Sequence, residues 1–363
     1  MFTIENFWIG ATIVFLLSAL LSMAINLFML RYTGNIFSKN LPENTIRFST
    51  ARKPAIGGVS FFACFLFGII AYLLFFPYER GSLNTVEISA IISTVSMGFI
   101  LGLYDDLRNS PVWIKFFVQF SIAGILIASG ISIELFQGLP ILNYVLTVIW
   151  VVGIMNSINM LDNMDAITTI TSLSIFTTVL VIIGLKQDFL NPDFIIMLAI
   201  AGGLVGFLRY NWNPSKIYMG DVGSQFLGVV LAIVGIKYFW NFTDTNDMLV
   251  NSKQIIVIAM AFILPITDTS TVFYKRIARG QSPFIGGADH TTHHLSYIGL
   301  SVRHVGLLFL AIGVLSAIFI LAILTYISVW SYWHFAIFAV YVLVVFISLF
   351  YIANLNKNKN LKK

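Results

Sequence analysis

About eleven apolar runs, each near the 20 residues needed to cross a hydrocarbon core, recur along this 363-residue chain. That recurrence constrains the fold more than any other feature. In lipid every backbone polar group must be satisfied within the segment, so repeated spans of this kind form helices or nothing. The runs fall at roughly 7–30, 55–76, 88–104, 113–131, 139–158, 166–185, 193–208, 223–242, 254–273, 304–327 and 334–355. The expected fold is all-α, a polytopic integral membrane protein with about eleven transmembrane helices. Charged residues make up 10% of the chain, against about 25% in soluble domains. A cytosolic enzyme, a disordered tail and a disulfide scaffold are thereby excluded. The single cysteine, Cys64, lies inside an apolar run and reads as packing.

Basic residues fix the expected orientation. Arg31, Lys39, Arg47, Arg52, Lys53, Arg108, Lys115, Arg209, Lys216, Lys275, Arg276, Arg279, Arg303 and the C-terminal lysines all fall on one side. The other side holds Arg80, Lys186 and Lys253, with Lys237 inside a span. By the positive-inside bias the first side is cytoplasmic, the N-terminus is outside and the C-terminus is inside. Nothing basic precedes the first span, so no cleaved signal peptide is expected. The net charge of +5 follows from that bias and from anionic lipid, and calls for no nucleic acid. Trp8, Trp113, Trp150, Trp240, Trp330 and Trp333, near span ends, are expected to form an interfacial belt. Asn241-Phe242-Thr243 is a formal glycosylation sequon. Gly202 and Gly206 form a small-xxx-small pair and predict close helix packing.

The aspartates are distributed unevenly. Asp105, Asp106, Asp162, Asp165, Asp221, Asp268 and Asp289 cluster at or near the basic side, set among glycine, asparagine and histidine. Short carboxylates from several loops on one membrane face suit a divalent metal and phosphate. In GLYDDLRNSP the vicinal Asp105 and Asp106 repel unless a cation or cationic partner relieves them. In NSINMLDNMDA, Asn156, Asn159, Asp162 and Asp165 recur every three residues. On a helix they form one drifting polar stripe, read either as metal, ribose or base contacts or as helix-to-helix glue. In YNWNPSKIYMGDVGS, Asp221 opens a span between glycines and is either an anion and metal site or a plain N-cap. The segment KRIARGQSPFIGGADHTTHH carries His290, His293 and His294 beside lysine and arginine. That mixture suits phosphate better than zinc. Asp268 lies within a span and is a functional candidate for that reason.

In order and in membrane side, these segments resemble the polyprenyl-phosphate N-acetylhexosamine-1-phosphate transferases. RKPAIGG is similar to the family's Pro-x-x-Gly-Gly segment, GLYDDL to its Asp-Asp segment, and NSINMLDNMD to its Asn-x-x-Asn-x-x-Asp-x-x-Asp segment. NWNPSKIYMGDVGS and GGADHTTHHL match its Met-Gly-Asp and histidine segments. The resemblance runs from about Arg52 to Arg303. It implies a single transmembrane catalytic domain over 1–363, with the active site on loops about 31–54, 104–115, 156–166, 209–223 and 274–303.

The implied reaction joins a UDP-linked N-acetylhexosamine donor to undecaprenyl or another polyprenyl phosphate. Its products are polyprenyl diphosphate-sugar and UMP, and Mg²⁺ is the cofactor, with Mn²⁺ an admissible substitute. Carried over by position, Asp105 and Asp106 are catalytic, and Asp221 and Asn159 hold the metal. Lys53, Asn156, Asp162, Asp165 and Asn211 surround the nucleotide or substrate, and His290, His293 and His294 contact the diphosphate or sugar. Membrane lipids are partners and a homodimer stays open.

Two departures matter. Asn163 and Ala166 replace both glycines of the usual Asp-Gly-x-Asp-Gly, and the histidine loop lacks three consecutive histidines. The expectation is therefore a HexNAc-type sugar for O-antigen, capsule or another envelope glycan, rather than the peptidoglycan precursor. The implied location is the bacterial plasma (inner) membrane, with the site facing the cytoplasm. The competing class is a transporter or ion channel, which predicts acids spread through the membrane depth.

Overall fold

The computed structural model describes residues 4–32, 53–76, 84–186, 191–242, 250–282 and 287–355. Most of the expected 31–54 loop, Arg52, residues 283–286, the end of the sequon and the lysine-rich tail lie outside those residues. Every apolar run is helical. The helices are α1 (Ile4–Tyr32), α2 (Val59–Phe75), α3 (Thr85–Arg108), α4 (Val112–Ala128), α5 (Pro140–Leu161), α6 (Ile167–Leu185) and α7 (Pro192–Asn211). They continue as α8 (Gly220–Gly235), α9 (Asn251–Ala261), α10 (Ile263–Ile277), α11 (Thr291–Tyr297), α12 (Val302–Tyr326) and α13 (Tyr332–Leu355). Among the described residues no strand forms; Ala55 and Tyr218 make one isolated bridge.

Eight helices are long and apolar enough to cross a bilayer among the described residues, and α2 and α4 are shorter apolar helices. The expected span at 254–273 is a broken one: α9 and α10 meet at Phe262 with a bend of 78°. Pro265, the third residue of α10, offers no backbone N–H there, which favours a break over a continuous ladder. Its carbonyl accepts a hydrogen bond from Ser157 Oγ on α5 at 2.8 Å. Asp268 therefore lies on the second arm of a bent element rather than midway along a straight span.

The inner helix is α8, buried along nearly its whole length. It continues into a π turn over Ile236–Trp240 and is surrounded by α2, α3, α5 and α6. Close approach is made by glycines. A Cβ at Gly202 would sit 2.4 Å from the Phe15 carbonyl oxygen, and one at Gly206 would sit 2.3 Å from that of Ala19. The small-xxx-small pair thus packs α7 onto α1, as its spacing predicts. Cys64 is fully buried and its thiol faces the Ser18 carbonyl oxygen at 3.3 Å.

The tryptophan expectation needs a correction. Trp150 and Trp240 are buried, edge to face with centroids 5.6 Å apart. Trp150 Nε1 donates to the Ala232 carbonyl at 3.0 Å. Position near a span end does not distinguish an outward from an inward ring, and here the π turn of α8 carries Trp240 inward. Trp8, Trp113 and Trp333 are exposed as expected.

Alternation of the helices brings the C-terminal ends of α3, α5, α7 and α10 and the N-terminal ends of α2, α6, α8 and α12 to one face. The opposite face carries Glu87, Asp193 and Lys237, where Lys237 pairs with both carboxylates.

Candidate active site

The site is organised around the N-terminus of α8. Residues 54–58 run beside 218–219. Tyr218 N donates to the Pro54 carbonyl at 2.9 Å, Gly57 N to that of Tyr218 at 3.0 Å, and Gly58 N to that of Met219 at 2.9 Å. Gly220 enters α8 at φ +74°, a conformation glycine adopts freely. There is no room for larger residues alongside. A Cβ at Gly58 would stand 2.2 Å from Gly223 Cα, and one at Gly102 would stand 2.2 Å from the Asp221 carbonyl oxygen. The start of α2 and the last turns of α3 are thereby pressed against one helix N-terminus, whose N–H groups and dipole favour negative charge.

The vicinal aspartates of α3 have different surroundings. Asp105 is buried and accepts from Ser110 N and Ser110 Oγ at 2.8 Å each, and from Lys115 Nζ at 2.5 Å. Lys115 is the cation that relieves the pair. Asp106 points instead to α8, where its Oδ2 accepts from Val222 N at 2.8 Å. Across from it, Asn159 Nδ2 donates to Asp221 Oδ1 at 2.9 Å and to Ser224 Oγ at 2.8 Å. Asp221 receives no side-chain capping role, since Met219 is the N-cap and makes no such bond.

The drifting stripe divides in function along its length. Asn156 Nδ2 donates to Gln119 Oε1 and to the Val152 carbonyl, both at 2.8 Å. Asp162 closes α5 as its C-cap. Asp165 staples the turn at the cis Asn213–Pro214 peptide. It accepts from Asn213 Nδ2 at 2.9 Å, Ser215 N at 3.0 Å and Ser215 Oγ at 2.7 Å. Asn211 is buried; its Oδ1 accepts from Ala166 N at 3.1 Å and Thr169 Oγ1 at 3.0 Å, and its Nδ2 donates to the Ile217 carbonyl at 3.1 Å. Asp165 and Asn211 thus spend their polar atoms joining the α5–α6 link to the α7–α8 link. Lys53 reaches the same turn, donating to Ser215 Oγ at 3.1 Å with its ammonium 5.1 Å from the Tyr218 ring centre.

The histidine segment forms α11, held by α10. Asp268, fully buried, accepts from Thr291 N and Thr291 Oγ1 at 2.7 Å each, and faces His290 Nδ1 at 2.8 Å. It is the anchor of the histidine helix. Arg276 grips Asp289 through two bonds of 3.0 and 2.7 Å. Burial pushes the Asp289 carboxyl up, but Arg276 outweighs it and holds the pKa below the usual carboxylate value. Lys275 Nζ lies 2.5 Å from His294 Nε2 and donates to the Ala353 carbonyl near the end of α13 at 2.8 Å.

Burial, reinforced by His290 beside His293 and by Lys275 beside His294, lowers the pKa of both imidazoles to about 4. Both rings are neutral at pH 7. Thr292 Oγ1 donates to Asn163 Oδ1 at 2.5 Å, tying α11 to the end of α5.

Sequence reasoning passed over Ser224, Gln119 and Gln225, and counted Lys115 only toward orientation. A signal existed for the glutamines, which interrupt otherwise apolar runs. Asn163 was marked only as a departure from the expected glycine, and its bond to Thr292 was not foreseen.

Among the described residues no three His, Cys, Asp or Glu side chains form a ready metal cage. The residues still fit Mg²⁺. Asp221 with the amide oxygen of Asn159 is a hard oxygen set, and Mg²⁺ commonly takes one or two carboxylates plus substrate phosphates.

Residues 88–239 match the family model for glycosyl transferase family 4. Over 321 residues the chain is 26% identical to the probable undecaprenyl-phosphate N-acetylglucosaminyl 1-phosphate transferase of Bacillus subtilis (strain 168), covering 85% of this chain and 84% of that protein. The decaprenyl-phosphate N-acetylglucosaminephosphotransferase of Mycolicibacterium smegmatis is 24% identical over 284 residues, 72% of this chain and 70% of that one. A phospho-N-acetylmuramoyl-pentapeptide-transferase of Lactobacillus acidophilus is 28% identical over 291 residues, 74% and 83% of the two chains. The matched region contains the α3, α5 and α8 ends that form the aspartate site, so the similarity to glycosyl transferase family 4 and to these polyprenyl-phosphate sugar-1-phosphate transferases falls on that site.

Proposed function

We propose that the chain transfers an N-acetylhexosamine 1-phosphate from a UDP-sugar to a polyprenyl phosphate, releasing UMP and leaving a polyprenyl diphosphate-sugar. One observation carries the reading. Asp106, Asp221 and Asn159 come from three different helices and meet at the N-terminus of α8. Two carboxylates and an amide gathered at a helix end that favours negative charge suit a divalent cation that bridges them to phosphate. The relatives named for N-acetylglucosaminyl donors make UDP-N-acetylglucosamine the first donor to try.

Phosphoryl transfer is chiefly a matter of positioning and charge neutralisation. The α8 N-terminus would receive the diphosphate, with Lys53 beside it and His290, His293 and His294 lining the sugar side. Mg²⁺ held by Asp221 and Asn159 would supply charge neutralisation at the diphosphate. Asp106 would orient the acceptor phosphate and take its last proton, which leaves with a second pKa near 6. The acceptor oxygen attacks the sugar-linked phosphorus in line, forming the new P–O bond as the bond to UMP breaks. Asp105, committed to Lys115 and Ser110, would hold the end of α3 rather than touch substrate.

The positive-inside bias supports a site facing the cytoplasm of a bacterial plasma membrane, and a product that primes an envelope glycan such as O-antigen or capsule. A transport role has less support, since the acids gather at one face. Purified protein with Mg²⁺, undecaprenyl phosphate and a panel of UDP-HexNAc donors should release UMP. That release should require the lipid phosphate and stop with EDTA. Absence of release with every donor would overturn the reading.

A further inference from the structure

One helical turn deeper than Asn159 and Asp221, a second polar layer crosses the same helices. Asn156 lies three residues before Asn159 on α5, Gln225 four residues after Asp221 on α8, and Gln119 on α4. Gln119 is fully buried and Gln225 nearly so, in surroundings otherwise apolar. Asn156 Nδ2 donates to Gln119 Oε1 at 2.8 Å, and Gln119 Nε2 donates to Gln225 Oε1 at 3.4 Å.

The direction of this chain is set by chemistry. The Val152 carbonyl can only accept, so the atom of Asn156 that lies 2.8 Å from it must be the nitrogen. Gln119 must then turn its oxygen to Asn156 and its nitrogen to Gln225. Both Asn156 N–H groups are used inside the helix bundle, while its Oδ1 accepts nothing from the described residues and Asn156 itself is only half-buried. Asn159 obeys the same rule, because its Nδ2 faces the acceptor-only carboxylate of Asp221. Two asparagines on one stripe therefore keep their nitrogens within the bundle and leave their oxygens as acceptors.

We propose that Gln119 and Gln225 are positioning residues. Together with the Val152 carbonyl they hold the Asn156 amide so that its oxygen joins that of Asn159 and the Asp221 carboxylate as an electron-pair donor toward a divalent cation bound with the nucleotide diphosphate. The proposal rests on the transferase reading above. Gln119 and Gln225 touch no substrate. Their effect is that a flipped Asn156 would turn N–H donors toward the cation, which repels them.

The test is Mn²⁺ binding to the purified full chain, read by electron paramagnetic resonance with and without UDP, beside the metal dependence of UMP release. Gln119→Leu is expected to weaken Mn²⁺·UDP binding about tenfold. The metal concentration for half-maximal rate should rise by the same factor, with the rate at saturating metal within about threefold of wild type. Gln119→Glu keeps an acceptor facing Asn156 and should restore affinity to within about threefold, a rescue that lost packing alone would not show. Gln225→Leu removes only the far link and should shift affinity in the same direction by less, which keeps the test open if Gln119→Leu does not fold.

Unchanged Mn²⁺ affinity in the glutamine variants that fold, or equal loss in the Leu and Glu variants, overturns the proposal. So does a wild-type protein that binds no Mn²⁺ even with UDP. Mn²⁺·UDP binding without transfer for any donor would overturn the transferase reading and leave the amide positioning standing.

Discussion

Asp106 Oδ2 accepts the backbone N–H of Val222 at 2.8 Å, so one α3 carboxylate is bonded directly to the first turn of α8. Its neighbour Asp105 turns away to Lys115 and Ser110. Adjacent helical residues point about 100° apart, and that angle separates a group facing the α8 N-terminus from one anchored to Lys115 and Ser110. Asp106→Asn should lower UMP release by about 10²–10⁴-fold with an unchanged melting temperature. Asp105→Asn should leave most of the turnover but cost about 1–3 kcal/mol of stability, because Lys115 loses its charged partner. Measuring rate and melting of both variants decides the matter, and the opposite pattern would exchange the two roles.

The histidine helix gives the structure a pH dependence with a defined sign. His293 and His294 have pKa values near 4 in the folded chain, against 6.5 for a free imidazole side chain. Below pH 6.5 the unfolded chain takes up protons that the buried rings refuse. Stability therefore falls as pH drops from about 6.5 to about 4. Asp289, held lower by Arg276, adds its own loss only below that window. Melting of wild type against a His293→Gln, His294→Gln double variant should show a flatter slope for the variant between pH 6.5 and 4. Parallel slopes would sink the assignment.

Ala166 sits at φ +68° before α6, a left-handed conformation that costs an L-residue about 1–2 kcal/mol. It is one of the positions where the resemblance expects glycine. The backbone takes a conformation that glycine adopts freely although the residue is alanine, and in it Ala166 N reaches Asn211 Oδ1 at 3.1 Å. Ala166→Gly should raise stability by about 0.5–1 kcal/mol once glycine's larger unfolded-state entropy is set against the relieved strain. Ala166→Val should lower it. Thermal unfolding in one detergent compares the three, and a less stable glycine variant would show that the strain is absent.

The helices were legible in the sequence because a lipid-facing span needs about 20 apolar residues and little else. The break at Phe262 was not read, although Pro265 and the polar stretch Thr267–Thr271 stand within 254–273; the bend is held where Pro265 and Ser157 meet across helices. The cluster of aspartates on one face was legible from spacing and side. Its division of labour was not. Asp165 and Asn211 look like ligand contacts in a motif, yet their partners are Ser215, Asn213, Ala166 and Thr169, far apart in sequence. A polar residue in a motif says that hydrogen bonds are needed there, and only the fold says with whom. Gln119 shows the converse, an isolated polar residue in an apolar run whose partners come from two other helices.

The close approach of α3 to α8 makes the sharpest steric prediction. A Cβ at Gly102 would lie 2.2 Å from the Asp221 carbonyl oxygen and 2.5 Å from Val222 Cα, both backbone atoms that no side-chain rotation can relieve. Gly102→Ala must push the α8 N-terminus away from α3, and with it the Asp106–Val222 bond. A displacement near 1 Å at reacting groups costs about 10²-fold in rate, so UMP release should fall by at least that factor while the helical content stays native. Gly124 and Gly153 provide the control, since a Cβ at either meets nothing within 4 Å. Alanine there should be neutral or stabilise by up to about 1 kcal/mol through helix propensity alone. Equal activity in Gly102→Ala and Gly153→Ala would mean that α3 does not press on α8 as described, and that the aspartate site is held by something other than this contact.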